Sequence, residues 1–339
     1  MDRRRKVLVM GASGNVGACV TRQLVERGDD VRVLVRRTSS TKGIDGVDVE
    51  RCYGDIFDTE AVTAAMADRD VVFYCVVDTR AHLADPAPLF STNVEGLRNV
   101  LDVAVNADLQ RFVFLSTIGT IAVGDDGSTV DEETTFNWAG KGGPYIESRR
   151  QAEDLVLSYA RERGLPAIAM CVSNPYGPPD WQPRQGALVA MAAFGKLPFY
   201  VRGVGSEVVG IDDAADALIR AVEHGRIGER YIVSERYMSQ KEMFTTAAEA
   251  VGARPPRFGI PMAPLYLFGW LAGMSNRLFG TDFPMNLTAA RLMWLTSPAD
   301  HSKATRDLGW KPGPTTDSIA RAAQFYVDRK NRNEKVIDL

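Results

Sequence analysis

Short apolar runs alternate with helical periodicities through the first half of the chain. Val7 to Met10, Val31 to Val35, Val47 to Cys52, Val71 to Val76, Arg111 to Leu115 and Ala167 to Val172 are compact hydrophobic stretches rich in β-branched residues. Such runs predict buried strands. Between them Val16, Val20 and Leu24 recur at helical spacing, as do Val94, Leu97, Leu101 and Val105, so the connections are predicted to be amphipathic helices. Strands joined by helical crossovers pack into a parallel sheet covered on both faces. The expected fold class is therefore α/β, a doubly wound parallel sheet.

After about Pro175 the pattern turns irregular, with Pro and Gly clusters at 175–183 and 255–264. Residues 1–175 read as the sheet domain, with segments near 205–235 returning to it. Residues 176–330 read mostly as a smaller, irregular α/β lobe that binds substrate, and 331–339 as a tail. The charged end from Asp328 to Leu339 is expected to be solvated.

With 339 residues, 45% hydrophobic and 24% charged, the chain can bury a large core and lacks the signature of disorder. A net charge of -3 supplies no field that would draw it to nucleic acid. Cys19, Cys52, Cys75 and Cys171 form no CxxC pair or Cys/His cluster, so reduced thiols, a cytoplasmic location and no metal site are expected. His82, His224 and His301 are scattered and carry no ligand spacing. The basic start is followed by only Val7 to Met10 before Gly11, too short for a signal peptide. Phe258 to Asn276 is 19 residues without a charge, close to a membrane span. Gly259, Pro261, Pro264, Gly269 and Gly273 interrupt it, so it is expected to be a buried or substrate-lining helix rather than a membrane contact.

Directly after the first strand comes Gly11-Ala12-Ser13-Gly14-Asn15-Val16-Gly17, and then an amphipathic helix to about Arg27. Glycines at this spacing permit a tight turn, let backbone N–H groups approach a pyrophosphate, and let the helix pack closely on the strand. The helix N-terminus adds a partial positive charge. The pattern predicts a dinucleotide site in a Rossmann arrangement. At the end of the second strand, Val35-Arg36-Arg37-Thr38-Ser39-Ser40 holds no carboxylate for a ribose 2′-hydroxyl but offers guanidiniums and hydroxyls to a 2′-phosphate. NADP is therefore expected over NAD.

Many ordered segments resemble the extended short-chain dehydrogenase/reductase family, the NAD-dependent epimerase/dehydratase superfamily. They are the GxxGxxG at Gly11, Gly54-Asp55-Ile56, Asp70-Val-Val-Phe-Tyr, Asn93-Val-Glu-Gly96, Phe112-Val-Phe-Leu-Ser116-Thr117, Tyr145-Ile-Glu-Ser-Arg149, Asn174-Pro-Tyr-Gly177-Pro and Leu308-Gly-Trp310-Lys-Pro. Phe112 to Ile121 and the apolar second lobe look most like the dihydroflavonol-reductase and 3β-hydroxysteroid-dehydrogenase branch. The resemblance implies a catalytic hydroxyl at Thr117, a catalytic tyrosine at Tyr145 and a basic partner at Arg149, where the family has lysine. It also implies cofactor contacts at Gly11, Ser13, Gly14, Asn15, Val16, Gly17 and Arg36, at Asp55 and Ile56 for the adenine, and at Cys75 and Val76 beside the ribose. Asn174 and Pro175 would lie near the nicotinamide, and Asn93, Tyr145 and Arg149 would contact the same region.

The chemistry suits these residue types. Hydride transfer to or from a carbonyl carbon needs an acid/base at the substrate oxygen. A phenol with an ordinary pKa of about 10 is a poor base at neutral pH unless positive charge favours its ionised form. Tyr145 and Arg149, four apart on a predicted helix, share one face. A guanidinium is bulkier than an ammonium and a poorer proton relay, so the relay is expected to be slowed or rebuilt through other groups.

Asp212 and Asp213 read as N-caps of a helix. Asp125, Asp126, Asp131, Glu132 and Glu133 form an acidic loop expected to be solvated. Trp181, Phe194, Phe199, Tyr200, Phe258, Met262, Tyr266, Phe268, Trp270, Met274, Phe279, Phe283, Met285, Met293 and Trp294 suggest an apolar pocket wall and a bulky, poorly charged ketone or alcohol as substrate. The rival readings are a nucleotide-sugar epimerase with bound NAD, and a non-catalytic NADP sensor. A 4,6-dehydratase is disfavoured because Ile118 and Gly119 stand where similar dehydratases have an acidic pair. The family's usual assembly implies a homodimer through helices near Val94 to Ala107 and Tyr145 to Ala160.

Overall fold

The structure, a computed structural model, describes residues 4–81, 83, 85–183, 186–279 and 296–337. Its centre is a parallel sheet of seven strands in the order β10-β6-β5-β4-β1-β2-β3. The strands are β1 (Lys6–Met10), β2 (Asp30–Val35), β3 (Glu50–Tyr53), β4 (Val71–Tyr74), β5 (Arg111–Thr117), β6 (Ala167–Val172) and β10 (Arg230–Val233). The chain runs outward from β1 to β3, then returns and runs outward the other way from β4. The strand order thus reverses between β1 and β4, which opens a crevice at their C-terminal ends.

Alternate side chains serve opposite faces of the sheet. Val7, Val9, Val33, Phe73, Val113 and Met170 pack under α1 (Asn15–Glu26) and α7 (Ile211–His224). Leu8, Met10, Val72, Tyr74, Phe112 and Phe114 pack under α2 (Thr59–Met66), α4 (Leu97–Ala104) and α5 (Gly143–Arg163). A sheet buried on both faces explains why its strands read as unbroken apolar runs.

Three of the boundaries that differ from the expected ones have a local cause. Gly46, at φ +75, turns the chain after the 3-10 turn Lys42–Ile44, so Val47 and Val49 pack on the core before the β3 ladder begins at Glu50. Strand β4 stops at Tyr74, where Cys75 donates its N–H to Met10. The helix expected from Val94 starts as a π-turn, Ser91–Gly96, preceded by the short α3 (Ala87–Phe90).

The second lobe holds α6 (Ala187–Ala193), α8 (Gln240–Glu249) and the last helix, Thr315–Asn331, around Val189, Phe244, Ala247, Ile319 and Tyr326. Its strands are β7 (Asn174–Tyr176), β9 (Gly205–Gly210) and β11 (Arg236–Ser239) in one sheet, and the pair β8 (Phe199–Val201) and β12 (Phe258–Ile260). The segment carrying Ala304, Leu308 and Trp310 returns to the first core.

Several expectations about charged segments are corrected. The end of the chain is not simply solvated: Arg329 is 3% exposed and donates to the carbonyls of Asp180, Trp181 and Lys335. In the acidic loop, Glu132 is buried and accepts from the N–H of Ile232, while Asp131 closes a turn on Thr134. Helix α7 is capped by Gly210 without a side-chain bond; Asp212 and Asp213 lie inside its first turn, where the helix dipole favours carboxylates. The stretch expected to be a buried or substrate-lining helix forms β12 and then α9 (Ala263–Phe279), which is not wholly buried: Leu267, Trp270, Leu271, Met274 and Leu278 are exposed. Among the described residues, no helix is long and apolar enough to cross a membrane. Of the singled-out residues, His82, Phe283, Met285, Met293 and Trp294 lie outside the described ones.

Candidate active site

The site is assembled at the C-terminal strand ends beside the β1/β4 crevice. Gly11 leaves β1 at φ +89, and a Cβ there would stand 2.6 Å from the carbonyl carbon of Cys75. A Cβ at Gly17 would stand 2.3 Å from the Gly11 oxygen. Neither position accommodates a side chain, because the loop is pressed between the end of β4 and the first turn of α1. Gly14 caps α1 with no side-chain bond and no acid follows in the first turn, so the helix N–H groups have no side-chain acceptor. Ser13 and Gly14 are exposed, Asn15 half-buried and Val16 buried.

Beyond β2, Arg36 is exposed and Arg37 lies over the Tyr53 ring, 4.7 Å from its centroid. Asp55 accepts from the N–H of Phe57, and buried Ile56 packs so tightly on Gly96 that a Cβ there would sit 2.3 Å from it. Asn93, in the π-turn, uses its amide internally. It accepts from the N–H of Asp78 and donates to the Asp78 carbonyl and to Ser148 Oγ. It therefore acts as a brace between the segment after β4 and α5.

Helix α5 opens with Gly143 and Pro144, and Tyr145, Arg149 and Glu153 follow at successive fours on its face toward the sheet. Tyr145 is half-buried and lies near Thr117, the last residue of β5, whose side chain acts on its phenol. Burial pushes its phenol above the ordinary value, and the Arg149 guanidinium and the Thr117 side chain pull against that rise. Nearby Asp78 pushes the same way as burial. Arg149 does not point to solvent. It is 1% exposed, donates Nη2 to the Leu115 carbonyl, and lies over the Phe114 ring at 5.0 Å. Burial lowers its pKa, while Tyr145, Tyr74 and Glu153 raise it.

Below these groups lies a network that sequence reasoning missed. Glu153 is fully buried and accepts from Ser116 Oγ, from Thr120 Oγ1 at 2.7 Å and from Arg230 Nη1 at 3.2 Å. Thr120 in turn donates to the Thr117 carbonyl; its one hydroxyl hydrogen is shared between the two acceptors. The network thus fixes the strand end that presents Thr117. Its only sequence signal was Glu153's place at eight residues beyond Tyr145. At the end of β6, Asn174 donates to the Glu207 carbonyl, and Pro175 is half-buried.

Among the described residues, buried polar atoms without a partner include Asn15 Oδ1 at the start of α1, Tyr74 Oη at the end of β4, Arg149 Nε and Nη1, and Ser173 Oγ just after β6. Each such atom carries a desolvation penalty. The glycine cradle and the uncapped helix fit a pyrophosphate.

A strand-order reversal beside a glycine loop, with a hydroxyl, a phenol and a buried cation at the adjoining strand ends, defines a dinucleotide-dependent α/β enzyme. The sequence profile of the NAD dependent epimerase/dehydratase family matches residues 7–234, and the chain belongs to that family. It is accordingly an NAD(P)-dependent enzyme of the oxidoreductase, epimerase or dehydratase type. Sterol demethylase protein B of Methylococcus capsulatus is 28% identical over 326 residues, covering 95% of this chain and 98% of that protein. A 3-beta-hydroxysteroid dehydrogenase of Mycolicibacterium neoaurum is 26% identical, covering 95% and 92%. The crystal structure of gox2253 aligns with a TM-score of 0.85 at 30% identity, over 98% of this chain and all of that one.

Proposed function

We propose that the protein is an NADP-preferring oxidoreductase that moves a hydride between coenzyme and the carbonyl or secondary alcohol of a bulky, largely apolar small molecule. The observation that carries this reading is the half-buried Tyr145 near Thr117 at the end of β5, with the buried Arg149 one turn further along α5 and its charge acting on the phenol. When bound, the nicotinamide coenzyme supplies or accepts the hydride and, oxidised, adds a positive charge. In the reductive direction Tyr145, protonated at neutral pH, donates its proton to the substrate oxygen as negative charge develops there. Thr117 shares that oxygen, and Arg149 stabilises the phenolate left behind until solvent returns a proton. In the oxidative direction the same phenolate takes the proton back.

Arg36, exposed at the end of β2 with no carboxylate from Val35 to Ser40, supports NADP. The sterol and steroid names of the two relatives support an apolar substrate. Thr117, Tyr145 and Arg149 are the catalytic residues of this reading, and Gly11 to Gly17, Arg36, Asp55, Ile56, Cys75, Val76, Asn174 and Pro175 line the coenzyme. We assign a homodimer formed by α4 and α5, whose half-buried Val103, Leu155 and Leu157 offer an apolar seam.

The test is single-turnover oxidation of NADPH with a panel of steroid-type and flavonoid-type ketones. Turnover that falls more than about a hundredfold in Tyr145→Phe is expected. Interconversion of nucleotide sugars without net coenzyme oxidation would instead select the epimerase reading, and NADPH binding with neither reaction would select a sensor.

A further inference from the structure

We propose that α9, with the neighbouring β8–β12 edge, seats this protein on the surface of an anionic phospholipid bilayer. The inference stands on the surface itself and does not depend on the proposed reaction.

A helix folded against a soluble core turns its large apolar side chains inward; α9 presents several outward. Among its described side chains the buried ones are the small Gly269 and Ala272, whereas Leu267, Trp270, Leu271, Met274 and Leu278 are 60%, 52%, 47%, 40% and 68% exposed. These five recur at i, i+3, i+4, i+7 and i+11, so they form one outward stripe. The apolar surface is not confined to this helix. Phe258, 66% exposed, pairs in register with Phe199, 41% exposed, across β12 and β8.

The charges of this stretch of chain name its partner. From Ala250 to Phe279 it holds no carboxylate, against Arg254, Arg257 and Arg277. Arg254 and Arg257 are exposed beside Phe258, as is Arg202, whose Nε bonds the Gly259 carbonyl. An apolar stripe bearing a tryptophan, following directly on an arginine-bearing strand edge, matches the headgroup boundary of an anionic leaflet. It matches a second copy of this chain poorly, because a two-fold contact would bring the same arginines face to face. A helix of 17 residues that is too short to cross lies in the plane of the interface.

The full-length protein is incubated with vesicles of phosphatidylcholine alone or with about 30% phosphatidylglycerol and sedimented at low and high salt. Expected is binding to the anionic vesicles that weakens with salt and drops at least about tenfold in Trp270→Gln/Leu271→Gln, with coenzyme binding unchanged. Quenching of wild-type tryptophan fluorescence by brominated anionic lipid, reduced in Trp270→Phe, supports the same placement without a polar variant. No vesicle binding by the wild type, or equal binding by the double variant, overturns it. So does a wild-type oligomer that the double variant breaks, which would make α9 a subunit contact. So does a rise in ketone KM in the double variant without vesicle binding, which would make it a substrate wall.

Discussion

Arg149 shows how one side chain can be placed in sequence and still change meaning in the fold. Its spacing from Tyr145 put a cation near the phenol, and its burial against Phe114 and the Leu115 carbonyl leaves two nitrogens unpartnered. That charge is one of two influences holding the phenol down against burial. Removing it in Arg149→Met should therefore raise the Tyr145 pKa further. The phenol then stays protonated to higher pH, so the ascending limb of the oxidative pH–rate profile should move to higher pH, while the reductive rate stays flat through neutrality. A profile that does not move would uncouple the two residues. Glu153 makes the complementary case. Glu153→Gln removes the buried carboxylate facing half-buried Arg230, and such a break costs about 1–3 kcal/mol, less than for a fully buried pair. Urea unfolding should show that loss, with a fall in kcat, because Thr120 then loses its hold on the strand end carrying Thr117. Arg36→Ala, at an exposed position, should leave stability alone and cut the NADPH-over-NADH preference in kcat/KM by about tenfold; an unchanged ratio would remove Arg36 from coenzyme selection.

Elements were legible wherever a run of side chains had the same fate on both faces of the sheet. Val31 to Val35 and Ala167 to Val172 appear almost as expected because every residue in them needs burial or nearly so. The third strand was shifted because Val47 and Val49 find the core without joining the ladder, and hydrophobicity alone does not separate those outcomes. The π-turn at Ser91–Gly96 was invisible, since helical periodicity barely changes across a single wide turn. The glycine loop was readable at once, and its geometry gives a sharp expectation. Gly11→Ala puts a Cβ into the backbone of Cys75 at positive φ, so the loop must shift. Coenzyme affinity measured by calorimetry should drop by more than about tenfold, with a stability loss of about 1–3 kcal/mol. Normal affinity would mean that the cradle is not the pyrophosphate site.

The whole molecule joins a doubly wound domain to a lobe held down by its own C-terminal end. Arg329 reaches Asp180, Trp181 and Lys335, so Arg329→Ala should loosen the lobe and speed its proteolysis before the sheet domain is cut. Light scattering should give twice the chain mass if α4 and α5 pair as proposed. What the chain determined by itself was whatever depends on residues close in sequence: the strands, the glycine turn and the Tyr145–Arg149–Glu153 face. Each follows from local spacing and backbone sterics. What only the tertiary structure decided was partnership across distance. Glu153 meets Arg230 and Asn93 meets Asp78 through strand order and helix packing, and the last helix meets Asp180 the same way. In α9 the same physics decided the face: an apolar stripe states what wants to leave water, but only the surrounding elements determine whether the protein supplies the cover.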